Sequence, residues 1–128
     1  MPLDETLDAT LGFEVLEIGP ESARSRAPVA NKHKQPFGLV HGGVYAAMAE
    51  SLASQATVAA VYDNGNIAVG LSNHTSFMRP VLEGYVNASA RAVHRGSTTW
   101  VWEVELSDDQ GRLCALSRVT MAVRPRRS

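Results

Sequence analysis

This 128-residue sequence predicts an α+β fold in which a curved antiparallel sheet wraps one long helix. Three observations predict it: a single alanine-rich apolar stretch from about Val44 to Tyr62, apolar-polar alternation through most of the rest, and short turn-forming segments between the alternating runs. A helix that is apolar around its circumference needs cover on most sides, and a wide sheet supplies it.

The elements follow in order. Phe13–Ile18 alternates and ends at a Gly19-Pro20 turn, and Ser22–Val29 reads as a second strand. The helix follows, rich in Ala46, Ala47, Ala49, Ala53, Ala56, Ala59 and Ala60 and stopped by Asp63-Asn64-Gly65. Its Glu50, Ser51, Ser54, Gln55 and Thr57 make it too polar to span a lipid bilayer. Four more strands are expected at Ile67–Met78, Gly84–Val93, Thr98–Ser107 and Arg112–Val123, joined as a meander, with a turn at Asp108-Asp109-Gln110-Gly111. Trp100, Trp102, Val104 and Leu106 alternate with polar residues, as a half-buried antiparallel strand requires. Residues 1–128 are expected to form one domain, with 124–128 as a flexible tail.

Composition narrows the function. Hydrophobic residues make up 45% and charged residues 20%, ordinary globular values, and the formal charge of -1 lacks the positive field that nucleic-acid or anionic-membrane binding needs. The single cysteine, Cys114, excludes an internal disulfide, and His33, His41, His74 and His94 have no metal-ligand spacing, so no metal is expected. The opening MPLDETLDAT has neither the basic nor the apolar region of a secretory signal, which points to the cytoplasm.

Glu50 is the only charged residue between His41 and Tyr62. It is either a functional acid against the core or a carboxylate at an exposed helix edge. His41-Gly42-Gly43 stands where the helix begins, and the free N–H groups and positive dipole end there can stabilise an oxyanion; equally, the glycines can serve only a tight turn. Gly42 and Glu50 are eight residues apart, about 12 Å along one helix, and cannot touch the same reacting atom. If both act on one carbonyl they come from different chains, with two helices antiparallel across a two-fold axis.

Gln35, His41-Gly42-Gly43, Glu50 and Ser54, spaced Gln-x5-His-Gly-Gly-x6-Glu-x3-Ser, resemble the hotdog-fold acyl-CoA thioesterases, in the branch of 4-hydroxybenzoyl-CoA thioesterase. The similar phenylacetyl-CoA thioesterase branch carries Asp where this chain has Glu50. The resemblance continues through Gly70-Leu71, Arg79, Glu83-Gly84, His94-x-Gly96 and Gly111-Arg112-Leu113, from about residue 10 to 123. It implies hydrolysis of an aryl- or hydroxyaryl-CoA thioester to carboxylate and free CoA, with no cofactor beyond the CoA of the substrate. It also implies a homo-oligomer with shared sites, a dimer of dimers.

The resemblance assigns roles as well. The Gly42 N–H would polarise the thioester carbonyl, and Glu50 of the other subunit would be nucleophile or general base. Gln35 would assist at the thioester, His41 would orient near the carbonyl or the thiolate, and Ser54, which shares a helix face with Glu50, would position Glu50 or water. Gly43 and the turn Arg95-Gly96-Ser97 are implied to bind substrate, the turn at the CoA phosphates. Relatives in this branch often carry histidine where this chain has Phe77, which is then a substrate wall or simply core. A hotdog hydratase or dehydratase is the alternative chemistry, but its Asp-x4-His and His-x4-Pro-Gly frames are missing. A noncatalytic acyl-CoA-binding module is the other alternative, and it would not need the complete Gln35, Gly42, Glu50, Ser54 set.

Overall fold

The computed structural model describes residues 1–127. Six antiparallel strands form one sheet: β1 (Glu14–Ile18), β2 (Ser22–Pro28), β3 (Asn66–Phe77), β4 (Tyr85–Arg95), β5 (Thr99–Ser107) and β6 (Leu113–Pro125), in the order β1-β2-β4-β5-β6-β3. A short helix α1 (Leu7–Leu11) precedes β1, and the long helix α2 (Gly42–Val61) lies in the concave face of the sheet.

Alternation places the core. Ala23, Ala27, Val86, Ala88, Ala90, Trp100, Trp102, Val104, Leu106, Val119 and Met121 turn inward and bury against Val44, Tyr45, Met48, Leu52, Ala53 and Ala56 of α2. The opposite face of the sheet carries cross-strand ion pairs, Arg24 with Glu17, Arg26 with Glu14 and Arg91 with Glu103. A buried relay pins the helix: Trp102 Nε1–H donates to Thr57 Oγ1 at 2.9 Å, and Thr57 Oγ1–H donates to the Ala53 carbonyl at 2.7 Å. Cys114 is buried, as a small core residue, and burial pushes its thiol pKa up.

Four sequence expectations are corrected. The last four strands are not one meander: only β4, β5 and β6 follow each other, while β3 crosses over to pair with β6 at the far edge. The segment before β1 is not strand or turn alone, because Thr6 accepts from the Ala9 N–H and Gly12 adopts a left-handed conformation, capping α1 at both ends. β1 is exposed along its whole length, since it is an edge strand with a bulge between Val15 and Glu17. The tail expected from Arg124 starts later. Arg124 and Pro125 belong to β6, the Arg126 N–H donates to Gly65 O, and the Arg126 guanidinium lies 4.4 Å from the Tyr62 ring centroid; Ser128 lies outside the described residues.

The cover on α2 is also one-sided. Val44, Tyr45, Met48, Ala49, Leu52, Ala53, Ala56, Thr57 and Val61 are buried, whereas the strip through Ala46, Ala47, Glu50, Ser51, Ser54 and Gln55 is not. No helix among the described residues is long and apolar enough to cross a membrane.

Candidate active site

The start of α2 is built by the loop before it. His33 is buried, with Nδ1 accepting from the Ala30 N–H at 2.9 Å, which leaves Nε2–H to donate to Leu11 O at 2.6 Å. Its carbonyl receives the His41 N–H at 2.8 Å, and the Val40 N–H donates to Val81 O, so the chain enters the helix in a fixed direction. His41 is the N-cap: its Nδ1 accepts the Gly43 N–H at 2.8 Å and its carbonyl the Val44 N–H at 3.0 Å. Among the described residues the Gly42 N–H has no acceptor. That free amide stands at the positive end of a 20-residue helix, where a backbone N–H can donate to a negatively charged oxygen.

Around it opens a cavity of about 490 Å³ lined by Gln35, Leu39, Val40, Gly42, Tyr45, Phe77, Met78, Arg79 and Pro80. Gln35 Oε1 accepts the Phe37 N–H at 2.6 Å, which leaves the Gln35 amide donors unused. The tip of the Phe77 ring faces Gly42, where an added Cβ would lie 2.9 Å from it, and the ring tilts against Tyr45 with centroids 6.2 Å apart. Phe77 is 59% exposed and is therefore a wall of this cavity, not core. Gly43 lies on the other side of the cap, where a Cβ would crowd His41 Nδ1 at 3.0 Å.

Glu50 opens elsewhere. It lines a separate cavity of about 590 Å³ with Leu7, Asp8, Ala46, Ala47, Ser51, Ser54, Gln55 and Asn73. Of the two readings of Glu50 the exposed one holds within a single chain. Its carboxylate lies over Gly70, whose absent Cβ would be 3.4 Å from Oε2, and Asn73 Nδ2 reaches Oε1 at 3.4 Å while donating to Ala46 O at 2.8 Å. Asn73 is in turn held by Thr75 Oγ1, which donates to its Oδ1 at 2.7 Å. Ser54 shares the cavity without bonding Glu50. The outer wall is α1, whose Asp8 accepts from Ser51 Oγ and from Gln55 Nε2 at 3.2 Å.

Sequence reading missed Asn73, Gly70 and Asp8. A bulge between Gly70 and Ser72 is the reason for the first two. Unbroken alternation along this strand would put Ile67, Val69, Leu71, Asn73, Thr75 and Phe77 on one face. The bulge instead turns Ala68 and Gly70 toward α2 before it and Asn73, Thr75 and Phe77 toward α2 after it, leaving Val69 and Leu71 exposed. His74 falls on the opposite face, beside Glu103 and Arg118.

The Arg95-Gly96-Ser97 turn lies at the other end of the sheet, where α2 stops: Thr99 pairs with Ala122, and Asn66 pairs with Pro125. Arg95 faces Glu21 at 3.4 Å, and a Cβ on Gly96 would come within 2.7 Å of His94 Nε2 and 2.9 Å of Thr99 O, so the turn itself requires that glycine. Among the described residues no three His, Cys, Asp or Glu side chains gather as metal ligands would.

Comparison with known proteins bears on this arrangement. The model of the thioesterase superfamily matches residues 37–115. The proofreading thioesterase EntH of Cronobacter turicensis is 38% identical over 118 residues, covering 92% of this chain and 85% of that protein. A glutamine-to-alanine variant of thioesterase PA1618 from Pseudomonas aeruginosa superposes with a TM-score of 0.92 at 37% identity, over 96% of this chain and 88% of that one. Thioesterase HI1161 from Haemophilus influenzae gives 0.89 at 32% identity, over 94% and 84%.

Proposed function

The chain belongs to the thioesterase superfamily and is a thioester hydrolase of hotdog fold, and on that premise we propose that it cleaves an aryl- or hydroxyaryl-CoA thioester at sites shared by two subunits. The observation that carries the proposal is the separation of Gly42 and Glu50 into different cavities of one chain. Each cavity holds half of the required chemistry. A two-fold axis that sets two α2 helices antiparallel brings the Gly42 end of one subunit to Glu50 of the partner subunit, and it covers the strip of α2 that one chain leaves bare. The same operation carries the partner's Arg95-Gly96-Ser97 turn, distant in its own chain, toward the Gly42 end, where it would meet the phosphates of CoA.

The reaction then runs on the parts described. The thioester carbonyl oxygen accepts from the Gly42 N–H, with the helix dipole and the free Gln35 amide adding to its polarisation. Glu50 of the partner subunit, steered by Asn73, attacks the carbonyl carbon or takes a proton from the water that does so. The tetrahedral intermediate collapses with cleavage of the C–S bond, and the thiolate leaves near His41, whose Nε2 is not used in capping; where Glu50 is the nucleophile, water then hydrolyses the mixed anhydride to the free carboxylate and Glu50. Ser54 is placed to hold the water. The apolar lining of the Gly42 cavity, with Phe77 and Tyr45 flanking the helix end, suits a planar acyl group. These parts need no cofactor, the working form is a dimer of dimers, and the reaction is placed in the cytoplasm, where CoA thioesters occur.

A thiol-release screen over aromatic and aliphatic acyl-CoAs and an acyl carrier protein thioester tests this, run on the wild type and Glu50→Ala. Fast Glu50-dependent turnover of aryl-CoAs is expected. A preference for aliphatic chains or for the carrier protein would overturn the substrate class.

A further inference from the structure

Tyr45 sits one turn into α2 from Gly42, on the face that lines the same cavity, and only 3% of it is exposed. Its hydroxyl is the one buried side-chain polar atom among the described residues that has no hydrogen-bond partner. The Val81 backbone approaches the oxygen, but as a donor and outside hydrogen-bond geometry, so the phenolic proton still has no acceptor. Burial raises the Tyr45 pKa, which keeps that proton in place.

An unmet buried O–H is costly, and at this position phenylalanine would pack equally well without the cost. The rest of the lining does not satisfy it: Leu39, Val40, Phe77, Met78 and Pro80 are apolar, and Gln35 is tied by Phe37. Phe77 is the ring that tilts onto Tyr45, and more than half of it is exposed, so it covers Tyr45 from the solvent side without being part of the core. A flat group bound at Gly42 by its carbonyl would enter the cavity that these two rings line.

Resting on the hydrolysis of aryl thioesters proposed above, we propose that Tyr45 is a specificity-determining residue. Its O–H donates a hydrogen bond to an oxygen substituent on the acyl ring, and so selects oxygenated aryl thioesters over unsubstituted ones.

The test compares the wild type with Tyr45→Phe on benzoyl-CoA and the 2-, 3- and 4-hydroxybenzoyl-CoAs. The wild type should favour at least one hydroxylated isomer over benzoyl-CoA by about tenfold or more in kcat/KM, and the variant should lose that preference. The Tm of the variant should be equal or higher, because the group it loses has no partner in the protein. Equal preference in both proteins, a uniform loss on all four substrates, or a fall in Tm would each overturn the assignment. The same comparison by calorimetry with non-hydrolysable thioether analogues keeps it apart from the catalytic reading. Selective binding without turnover would refute hydrolysis and retain Tyr45, whereas unselective binding with turnover would do the reverse.

Discussion

The tip of the Phe77 ring occupies the space that a side chain on Gly42 would need, 2.9 Å from the position of its Cβ. The glycine thus leaves room for this aromatic wall as well as for any incoming thioester. Gly42→Ala should push the ring aside and lower kcat/KM for aryl substrates, and Phe77→Ala should remove the clash. In a double-mutant cycle the double variant should be no slower than Phe77→Ala alone; additive losses would show that the two positions act independently.

Gly42→Pro differs from Gly42→Ala chiefly in removing the N–H. The amide has no acceptor to lose, and His41, with φ -65° and ψ 136°, already has the extended backbone that a following proline requires. Stability should therefore change little while kcat falls about 10²–10³-fold below that of Gly42→Ala, the usual effect of losing one oxyanion donor. Steady-state kinetics beside a thermal melt checks this. Equal kcat in the two variants would move the polarising group to Gln35 or His41.

Glu50 is exposed and makes one long contact, so Glu50→Ala should fold normally and lose at least about 10² in turnover. Mixing that chain with a Gly42→Pro chain should restore activity, because each heterodimer holds one site with both groups intact. Verified heterodimers that stay inactive would refute shared sites.

Acid should loosen the β5–β6 turn. The carboxylate of Asp108 accepts the Arg112 N–H at 2.9 Å, the Gln110 N–H at 3.0 Å and Arg112 Nε at 2.7 Å, and the backbone bond from Arg112 leads in holding its pKa below the usual 3.8. A depressed folded-state pKa means that this stabilisation is complete above pH 3.8 and is lost as pH falls through the lower, folded value. Below about pH 4 the Tm of the wild type should drop faster than that of Asp108→Asn. Parallel curves would show that the turn carries no linkage.

Much of the molecule was legible from local pattern. The helix showed in its alanines and in the Asp63-Asn64-Gly65 stop, and β5 showed in the alternation of Trp100, Trp102, Val104 and Leu106, because burying one face leaves a mark with the period of the element. The eight-residue spacing of Gly42 and Glu50 also shows that one chain cannot bring both to the same carbonyl, since the rise per residue of a helix is fixed by its backbone.

Tertiary structure decided what period and spacing cannot carry. That β3 pairs with β6 depends on a crossover, and long-range pairing leaves no local signature. That Gly70 lies under Glu50 while Asn73 and Phe77 face α2 depends on one bulged residue, which inverts the alternation for everything after it. That Tyr45 carries an unanswered hydroxyl, and that Asp8 spans from α1 to Ser51 and Gln55, are facts of packing between segments far apart in the chain. A neutral or acidic side chain of that kind looks ordinary in sequence, because its role is set by the neighbours that the fold brings to it.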